Sequence, residues 1–288
     1  QFRTNAKFPK MLGEYVWTGF DYLGEPTPYN SDDTNLLNFR SDPSKVAELQ
    51  KKLEEIKKKN PPSRSSYFGI IDLAGFPKDR FYSYQSRWKP ELPMAHILPH
   101  WNWKERMDSI TPVHVYTSGD TAELFLNGKS LGKKTKKQGV DFRLIWDDVK
   151  YVPGELKVVA YKNGKKWATD VVKTTEEASK LALSVDRNTI AADDVDFAFV
   201  TVKVTDATGL TVPRTHPLIE FSIEGAGEIV ATDNGDATSF TPFQSHERNA
   251  FNGMALVIVK VKKGQTGKFT VVAKSNGLET GKVMVSVK

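Results

Sequence analysis

The feature that most constrains the fold is a long series of short alternating apolar segments, which begins near Met94 and runs to Lys288. Polar turns recur at intervals of about 8 to 12 residues, the spacing typical of a β-sandwich. Two of these turns are Asn127-Gly128 and Asn163-Gly164. Asn-Gly is the preferred pair of a type I′ hairpin, because both central residues need a positive φ. The pattern therefore predicts antiparallel sheets over two thirds of the chain.

The predicted strands form two groups on either side of a polar linker, Thr174 to Ser179. We therefore expect one immunoglobulin-like β-sandwich over residues 94–175 and a second over residues 176–288. The strands expected in the first are 113–117, 122–126, 129–131, 142–146, 155–161 and 166–173. Those expected in the second are 181–185, 197–205, 219–223, 228–232, 254–261, 269–274 and 282–287.

Residues 1–93 have a different pattern, in which helix-spaced apolar residues alternate with short apolar runs, as is typical of mixed α/β structure. The spacing of apolar residues predicts one helix from Asp42-Pro43 to Asn60 and another from Asp79 to Trp88. Apolar runs predict strands at Tyr15-Val16-Trp17 and at Tyr67–Ile71. Pro90 and Pro93 mark the expected boundary with the first β-domain.

The stretch Gly13–Tyr29 is the first candidate for a ligand site. An aromatic strand end opens there into a loop rich in Gly and Pro that carries Asp21, Tyr22 and Glu25. A (β/α) barrel builds its site in this way, and aromatic faces with carboxylates suit a sugar ring and its hydroxyls. Composition alone favours the plainer alternative, a buried core strand followed by an ordinary surface loop.

Composition excludes several classes of function. The chain has no Cys, which rules out disulfides, thiol nucleophiles and thiolate metal sites. A net charge of +6 comes largely from lysine clusters, which we interpret as solvated surfaces rather than a nucleic-acid site. No apolar run reaches the roughly 18 residues of a membrane span. The start at Gln1 has no signal-peptide pattern and resembles the interior of a longer protein.

The remaining motifs carry no recognisable catalytic or metal chemistry. There is no Gly-x-Ser-x-Gly elbow, P-loop or dinucleotide fingerprint, and the five His lack zinc-site spacing. Asp233-Asn-Gly-Asp236 lacks the late Glu of a calcium loop, so we expect a hairpin turn there. Trp88, Trp101 and Trp103 lie around Pro93. They have the faces to stack on sugars, but we expect them to fill the seam between the first two parts of the chain.

Four segments in order resemble glycoside hydrolase family 2, the β-galactosidase and β-glucuronidase group. Residues 13–21 resemble the eighth-strand segment of its barrel, and residues 69–88 resemble the segment and helix that close the barrel. Residues 114–168, with Ala122 to Gly132, are similar to the β-domain that follows the barrel in enzymes of Bacteroidetes type. Asp233–Asp236 with Phe251–Met254 resembles the terminal immunoglobulin-like domain. The resemblance implies the C-terminal remnant of a (β/α)8 TIM barrel over residues 1–93, followed by the two β-sandwiches.

The same resemblance implies roles for two residues. Trp17 matches the Trp that lines the subsite for the non-reducing sugar. Asp21 matches an Asp a few residues later, whose role is either ligand contact or loop support. The two catalytic glutamates of the family lie on earlier strands, and neither Glu14 nor Glu25 matches their motifs. The resemblance therefore places no catalytic residue in this chain and implies that the chain alone is inactive.

The resemblance also implies a substrate class and a set of partners. β-Glucuronidases carry an Asn-x-Lys motif before the closing segment, whereas this chain has Ser66-Tyr67-Phe68, so we expect a neutral sugar, with galactose implied by the overall match. The expected partners are a glycoside or oligosaccharide and the upstream part of the same polypeptide, with homo-oligomerisation left open. No cofactor is expected; a Mg²⁺ or Na⁺ site of the family type is left open, without support from the residues of this chain. Family habit implies a periplasmic or secreted enzyme.

One alternative and one further expectation accompany this interpretation. The β-domains form either a carbohydrate-binding or adhesion module or a non-catalytic scaffold that positions its neighbours. A barrel missing most of its strands also exposes open edges, so we expect residues 1–92 to be partly disordered or to pack against another chain.

Overall fold

A computed structural model describes residues 7–8, 10, 12–13, 15–25, 63–137, 140–193 and 195–288. The helix expected from Asp42-Pro43 to Asn60 lies outside these residues, as does Glu14. The second expected helix is confirmed: α1 spans Asp79–Trp88. It starts with an acidic residue, Asp79, and ends with the basic Arg87 in its last turn, which matches the charge preference of the helix dipole.

The first β-unit is a sandwich of two antiparallel sheets. Its strands are β1 (Ala95–Leu98), β2 (Val113–Thr117), β3 (Thr121–Leu126), β4 (Lys129–Thr135), β5 (Leu144–Trp146), β6 (Glu155–Lys162) and β7 (Lys165–Lys173). One sheet has the order β1-β2-β5 and the other β4-β3-β6-β7. Alternate residues from both sheets, such as Val113 and Val115 on β2 and Leu156 and Val158 on β6, meet in one buried core.

The second β-unit repeats this architecture with nine strands. They are β8 (Lys180–Val185), β9 (Thr189–Ile190), β10 (Ala198–Thr205), β11 (Leu218–Gly225), β12 (Gly227–Asp233), β13 (Glu247–Asn249), β14 (Met254–Val261), β15 (Gly267–Lys274) and β16 (Gly281–Val287). The sheets have the orders β12-β14-β10-β8 and β13-β11-β15-β16-β9. Their inner faces enclose a separate apolar core, which includes Val200, Val202, Val257 and Val271. The all-β architecture of residues 94–288 is therefore confirmed, while the domain boundaries 94–175 and 176–288 stay predictions.

Both predicted Asn-Gly hairpins are present, with φ of 50° and 79° at Asn127 and Gly128 and of 52° and 75° at Asn163 and Gly164.

The prediction of a hairpin at Asp233–Asp236 is wrong. Asp233 ends β12, and residues 234–246 form a long connection to β13, which we call the anchor loop. Asp233 pairs with Leu256 of β14 rather than with a returning strand of its own.

The tryptophans near Pro93 do not share one seam. Trp101 is fully buried in the core of the first β-unit, where its Nε1 donates to Val152 O over 2.9 Å. Trp103 packs on the edge of that core, stacked on His100, and faces the second β-unit through the guanidinium of Arg214, 5.0 Å from its ring. Trp88 is half exposed on α1. The seam prediction is therefore wrong for Trp101 and Trp88, because one belongs inside a sandwich and the other faces outward.

The TIM-barrel remnant expected over residues 1–93 is not shown. Within the described residues of this part, Tyr15-Val16-Trp17 and Tyr67–Ile71 form no strands, and pairing is limited to isolated bridges. One of these bridges, Phe20 to Ile71, is parallel, and another, Leu23 to Ser65, is antiparallel. A β-strand forms when a neighbouring segment pairs with it over several residues. Among the described residues of this part, no segment pairs with 15–17 or 67–71 in that way.

Candidate functional site

Trp17 lies at the tip of a loop that we call the Trp17 loop, residues 15–25. Its indole is 73% exposed in this chain, which is unusual for the largest apolar side chain. The indole Nε1 donates to the hydroxyl of Tyr22 over 3.3 Å, and the two rings meet edge to face at 6.5 Å. Tyr22 in turn packs edge-on against Phe68 at 5.8 Å. The loop therefore presents an ordered aromatic surface rather than a lone exposed ring.

The Tyr22 hydroxyl also contacts Glu25, the second acidic residue of the loop. It donates to Glu25 Oε2, and this hydrogen bond is the main cause that raises the pKa of the Tyr22 phenol above its ordinary value. Glu25, Tyr22 and Trp17 are thus joined in one polar chain on an exposed surface. Carboxylate and hydroxyl groups beside an aromatic face are the groups that a sugar ring can use.

Asp21 lies on the opposite, inner side of the loop and is only 3% exposed. Its Oδ1 accepts from the backbone N–H of Gly69 at 2.8 Å, and its Oδ2 lies 2.5 Å from the ammonium of Lys78. These contacts support the loop directly. Of the two roles left open by the sequence, the geometry gives evidence for loop support, and ligand contact stays a prediction.

Lys78 is a residue of this site that the sequence analysis missed. Besides Asp21, its ammonium donates to the backbone O of Tyr67 over 2.8 Å. A cation therefore does lie beside Ser66-Tyr67-Phe68, although the sequence at that place contains none. Its charge is opposed by the buried carboxylate of Asp21, so the pair is close to neutral.

Backbone pairing ties the Trp17 loop to the segment 63–78. Asp21 N donates to Ile71 O, and Ile71 N donates to Gly19 O, both at 2.9 Å. At the other end, Tyr22 and Ser66 exchange two bonds: Ser66 N to Tyr22 O at 2.9 Å and Tyr22 N to Ser66 Oγ at 3.0 Å. Gly69 is required where the two segments approach each other, since a Cβ there would lie 2.3 Å from Asp21 N. The two segments therefore form one supported unit.

Asp72 is a second buried carboxyl of this unit. Desolvation by burial raises its pKa from 3.8 to about 6, against the opposing effects of the Phe76 N–H and the Lys78 charge. Its carboxyl packs directly on Gly235 of the anchor loop, where an added Cβ would lie 2.1 Å from Oδ2. The site thus contacts the second β-unit, although the two are far apart in sequence.

Metal and membrane chemistry find no support in the described part of the chain. No group of three His, Cys, Asp or Glu side chains is placed there to hold a metal ion. The helices among those residues are too short or too polar to cross a bilayer.

Comparison with known proteins gives this arrangement a family. Residues 181–284 match the domain described as glycoside hydrolase family 2 C-terminal domain 5, and residues 108–168 match a domain of unknown function. Over 276 residues, 96% of its length, the chain is 38% identical to "Beta-galactosidase BoGH2A" of Bacteroides ovatus. This chain is a C-terminal part of a glycoside hydrolase family 2 protein. The family expectation from the sequence is therefore confirmed.

Further relatives of this family 2 chain carry another activity in their names. A "Putative beta-glucuronidase" of Formosa agariphila is 32% identical over 243 residues, which is 81% of this chain. Among solved structures, a β-glycosidase from Bacteroides vulgatus covers 99% of the chain with a TM-score of 0.82 and 29% identity. A family 2 member from Bacteroides cellulosilyticus covers all of it with a TM-score of 0.81 and 25% identity. The fold described above is thus the fold of these family members.

The family 2 chain spans only a fraction of these relatives. It covers 28% of the Bacteroides ovatus protein and 20% of the Formosa agariphila protein. It covers 32% of the Bacteroides vulgatus chain and 37% of the Bacteroides cellulosilyticus chain.

Proposed function

We propose that this chain belongs to a retaining, exo-acting glycoside hydrolase that removes terminal β-galactose from glycans. The observation that carries the proposal is the 38% identity over 96% of the chain with a protein named as a β-galactosidase. The exposed Trp17 supports it, because an indole face beside the Tyr22–Glu25 pair suits stacking on a terminal sugar.

Preference for a neutral sugar has its own support in the site. Lys78 is a cation beside Ser66-Tyr67-Phe68, and its ammonium is already paired with the buried Asp21 carboxylate. A sugar carboxylate would have to compete with Asp21 for that charge. Other relatives are named as β-glucuronidases. The preference for a neutral sugar is therefore tested against β-glucuronides.

The catalytic carboxyl groups belong, in this proposal, to upstream barrel strands. Retaining hydrolysis needs two carboxyl groups about 5 Å apart, one as nucleophile and one as acid and then base. In the Trp17 loop, Asp21 is paired with Lys78 and Glu25 is bonded to Tyr22. The parallel Phe20–Ile71 bridge supports placing residues 15–25 and 63–78 at the closing edge of a parallel barrel.

For the β-units we propose a scaffold role. The observation that favours it over sugar binding is the contact of residues 63–78 with the second β-unit, at Arg64–Asp233 and Asp72–Gly235. Calorimetric titration of residues 94–288 with galactan oligosaccharides should give no binding heat at millimolar sugar. A saturable heat would assign the units to carbohydrate binding instead. By the habit of the family, we also expect the enzyme to be periplasmic or secreted.

The proposal is tested by assaying nitrophenyl β-galactoside and nitrophenyl β-glucuronide with this chain and with the protein extended upstream through its barrel. We expect the extended protein to hydrolyse the galactoside with retained anomeric configuration, as followed by NMR, and this chain to hydrolyse neither. Preference for the glucuronide would contradict the sugar assignment. Activity of the short chain would contradict the placement of the catalytic acids.

A further inference from the structure

We propose that Arg64 is a positioning residue through which the second β-unit fixes the Trp17 loop in its sugar-binding position. This inference rests on the proposed role of Trp17 in binding the terminal sugar. It assigns to the second sandwich a defined contribution to the site, made through one largely desolvated guanidinium.

The first step is the receptor that the second β-unit offers to Arg64. Its Nη2 lies 3.1 Å from Asp233 Oδ1, and its Nη1 donates to Thr241 O at 3.2 Å. The guanidinium carbon lies 4.3 Å from the centre of the Phe243 ring, and the backbone N–H of Arg64 donates to Ala237 O at 2.8 Å. The Arg64 and Asp233 side chains are 13% and 9% exposed, so this pair is largely desolvated.

The second step is that this receptor has internal contacts that do not involve Arg64. Asp233 Oδ1 also accepts from the N–H of Asn234 at 2.8 Å. Behind the anchor loop, the fully buried Arg248 donates to the backbone oxygens of Thr232, Thr241 and Pro242 at 2.7, 2.9 and 2.8 Å. A pre-ordered receptor loses little freedom when it binds a side chain, so it can impose a position on its partner.

The third step runs from Arg64 to the indole. The next two residues, Ser65 and Ser66, are both buried and pair with Leu23 and Tyr22 of the Trp17 loop. Tyr22 then accepts the Trp17 indole N–H. The anchor loop contacts Arg64, the backbone of residues 64–66 leads to Ser66, and hydrogen bonds join Ser66 to Tyr22 and Tyr22 to Trp17.

The anchoring is tested by hydrogen–deuterium exchange on the whole chain. Arg64→Met keeps the aliphatic stem and removes the charge, while Arg64→Lys keeps a charge without the planar fork. The matched control is Arg214→Met, which removes an exposed ion pair with Glu105 that also crosses between parts of the chain.

We expect Arg64→Met to raise exchange of the Asp21, Ser66 and Ile71 amides by about tenfold, because their bonds open when the segment loses its support. Arg64→Lys should give an intermediate effect and Arg214→Met none. Amides of the second core, such as Val202 and Val257, should stay protected in every variant. Unchanged exchange of the Trp17 loop in Arg64→Met would overturn the anchoring.

Positioning of the sugar is then tested in the upstream-extended enzyme. We expect Arg64→Met to raise KM for nitrophenyl β-galactoside by about three- to tenfold, with kcat within about twofold and with partial rescue by Arg64→Lys. A KM equal to that of the parent, with exchange raised, would overturn the positioning role while the proposed function stands. If the unsubstituted extended enzyme has no galactosidase activity, the proposed function is refuted. The anchoring of the Trp17 loop by Arg64 is then still judged from the exchange data alone.

Discussion

At the scale of single residues, the most informative contrast is between Trp17 and Asp21, four positions apart on one loop. The indole is exposed, whereas the carboxylate is buried and bound to Gly69 and Lys78. Family resemblance led to both residues. It could not separate their surroundings, because the partners of Asp21 lie 48 and 57 residues further along the chain.

Replacing Trp17 by Ala in the extended enzyme should raise KM for a β-galactoside by about tenfold or more, equivalent to about 1.4 kcal/mol of lost binding. The thermal midpoint should change little, because the indole is exposed. The measurement is steady-state kinetics beside a melting curve. Trp88→Ala is the matched control, since Trp88 is half exposed on α1 and its ring packs against Tyr84 of the same helix. Equal KM in both variants would remove Trp17 from the sugar site.

Asp72 should make stability depend on pH in a direction opposite to that of most carboxyls. Its pKa rises from 3.8 to about 6 on folding, so the folded chain holds this proton more tightly than the unfolded chain. Its contribution to the free energy of unfolding is therefore full below pH 4 and is lost as pH rises to about 6. Lys78, which lowers this pKa, and Asp21, which raises it, are the charged groups that face it.

Asp72→Asn keeps an oxygen for the Phe76 N–H and cannot ionise. The parent should lose the Asp72 contribution as the pH rises from 4.5 to 7.5, and the variant should not. The free energy of unfolding of the variant minus that of the parent, measured by urea unfolding, should therefore be larger at pH 7.5 than at pH 4.5. A difference between variant and parent that is the same at both pH values would show that Asp72 does not titrate in this interval.

At the scale of elements, the strands of the two sandwiches were predictable because their signals are local. Alternating burial, as in Val113–Thr117, and Asn-Gly turns can be read within a few residues. The strands that were missed are β1, β9 and β13, each of four residues or fewer. Such short strands exist only because a longer neighbour pairs with them, as β16 does with β9. The contacts of Arg64 were equally unpredictable, since Asp233 lies 169 residues away.

The anchor loop should depend on Arg248. Its guanidinium donates hydrogen bonds to backbone oxygens that have no partner strand to bond them. Arg248→Met would leave the carbonyl oxygens of Thr232, Thr241 and Pro242 without that donor. We expect it to lower the free energy of unfolding of the chain by at least about 3 kcal/mol, as measured by urea denaturation. The matched control is Arg187→Met in the same unit, where the side chain is half exposed and pairs with Asp186 and Asp196. We expect that variant to cost less than about 1 kcal/mol. An equal loss of unfolding free energy in the two variants would show that the anchor loop does not depend on Arg248.

At the scale of the whole molecule, the chain has two separate apolar cores joined by polar contacts. Asn102 Oδ1 accepts from Thr175 N at 2.9 Å, and Asp206 Oδ2 accepts from Glu176 N at 3.1 Å. The exposed pairs Arg214–Glu105 and Lys104–Glu177 add little, because solvent screens them. The cores should therefore be energetically independent, with residues 63–78 resting on the second.

Residues 176–288 should accordingly fold alone. We expect the isolated segment to unfold in one cooperative transition in differential scanning calorimetry. Its midpoint should lie below that of the same unit in the whole chain, because it lacks Arg64 and Asp72. An isolated segment without a transition would show that the second core needs the first.

The contact between Arg64 and the anchor loop also sets an order of events during synthesis. Translation proceeds from the N-terminus at about 5 to 20 residues per second, so the anchor loop emerges roughly 10 to 40 s after the Trp17 loop, about 200 residues later. For most of that interval the Trp17 loop and its partner segment 63–78 have been translated but lack the contacts of the anchor loop. A product truncated before Asp233 lacks the contacts of Arg64, so in the proposed arrangement the Trp17 loop depends on a sandwich translated about 200 residues after it.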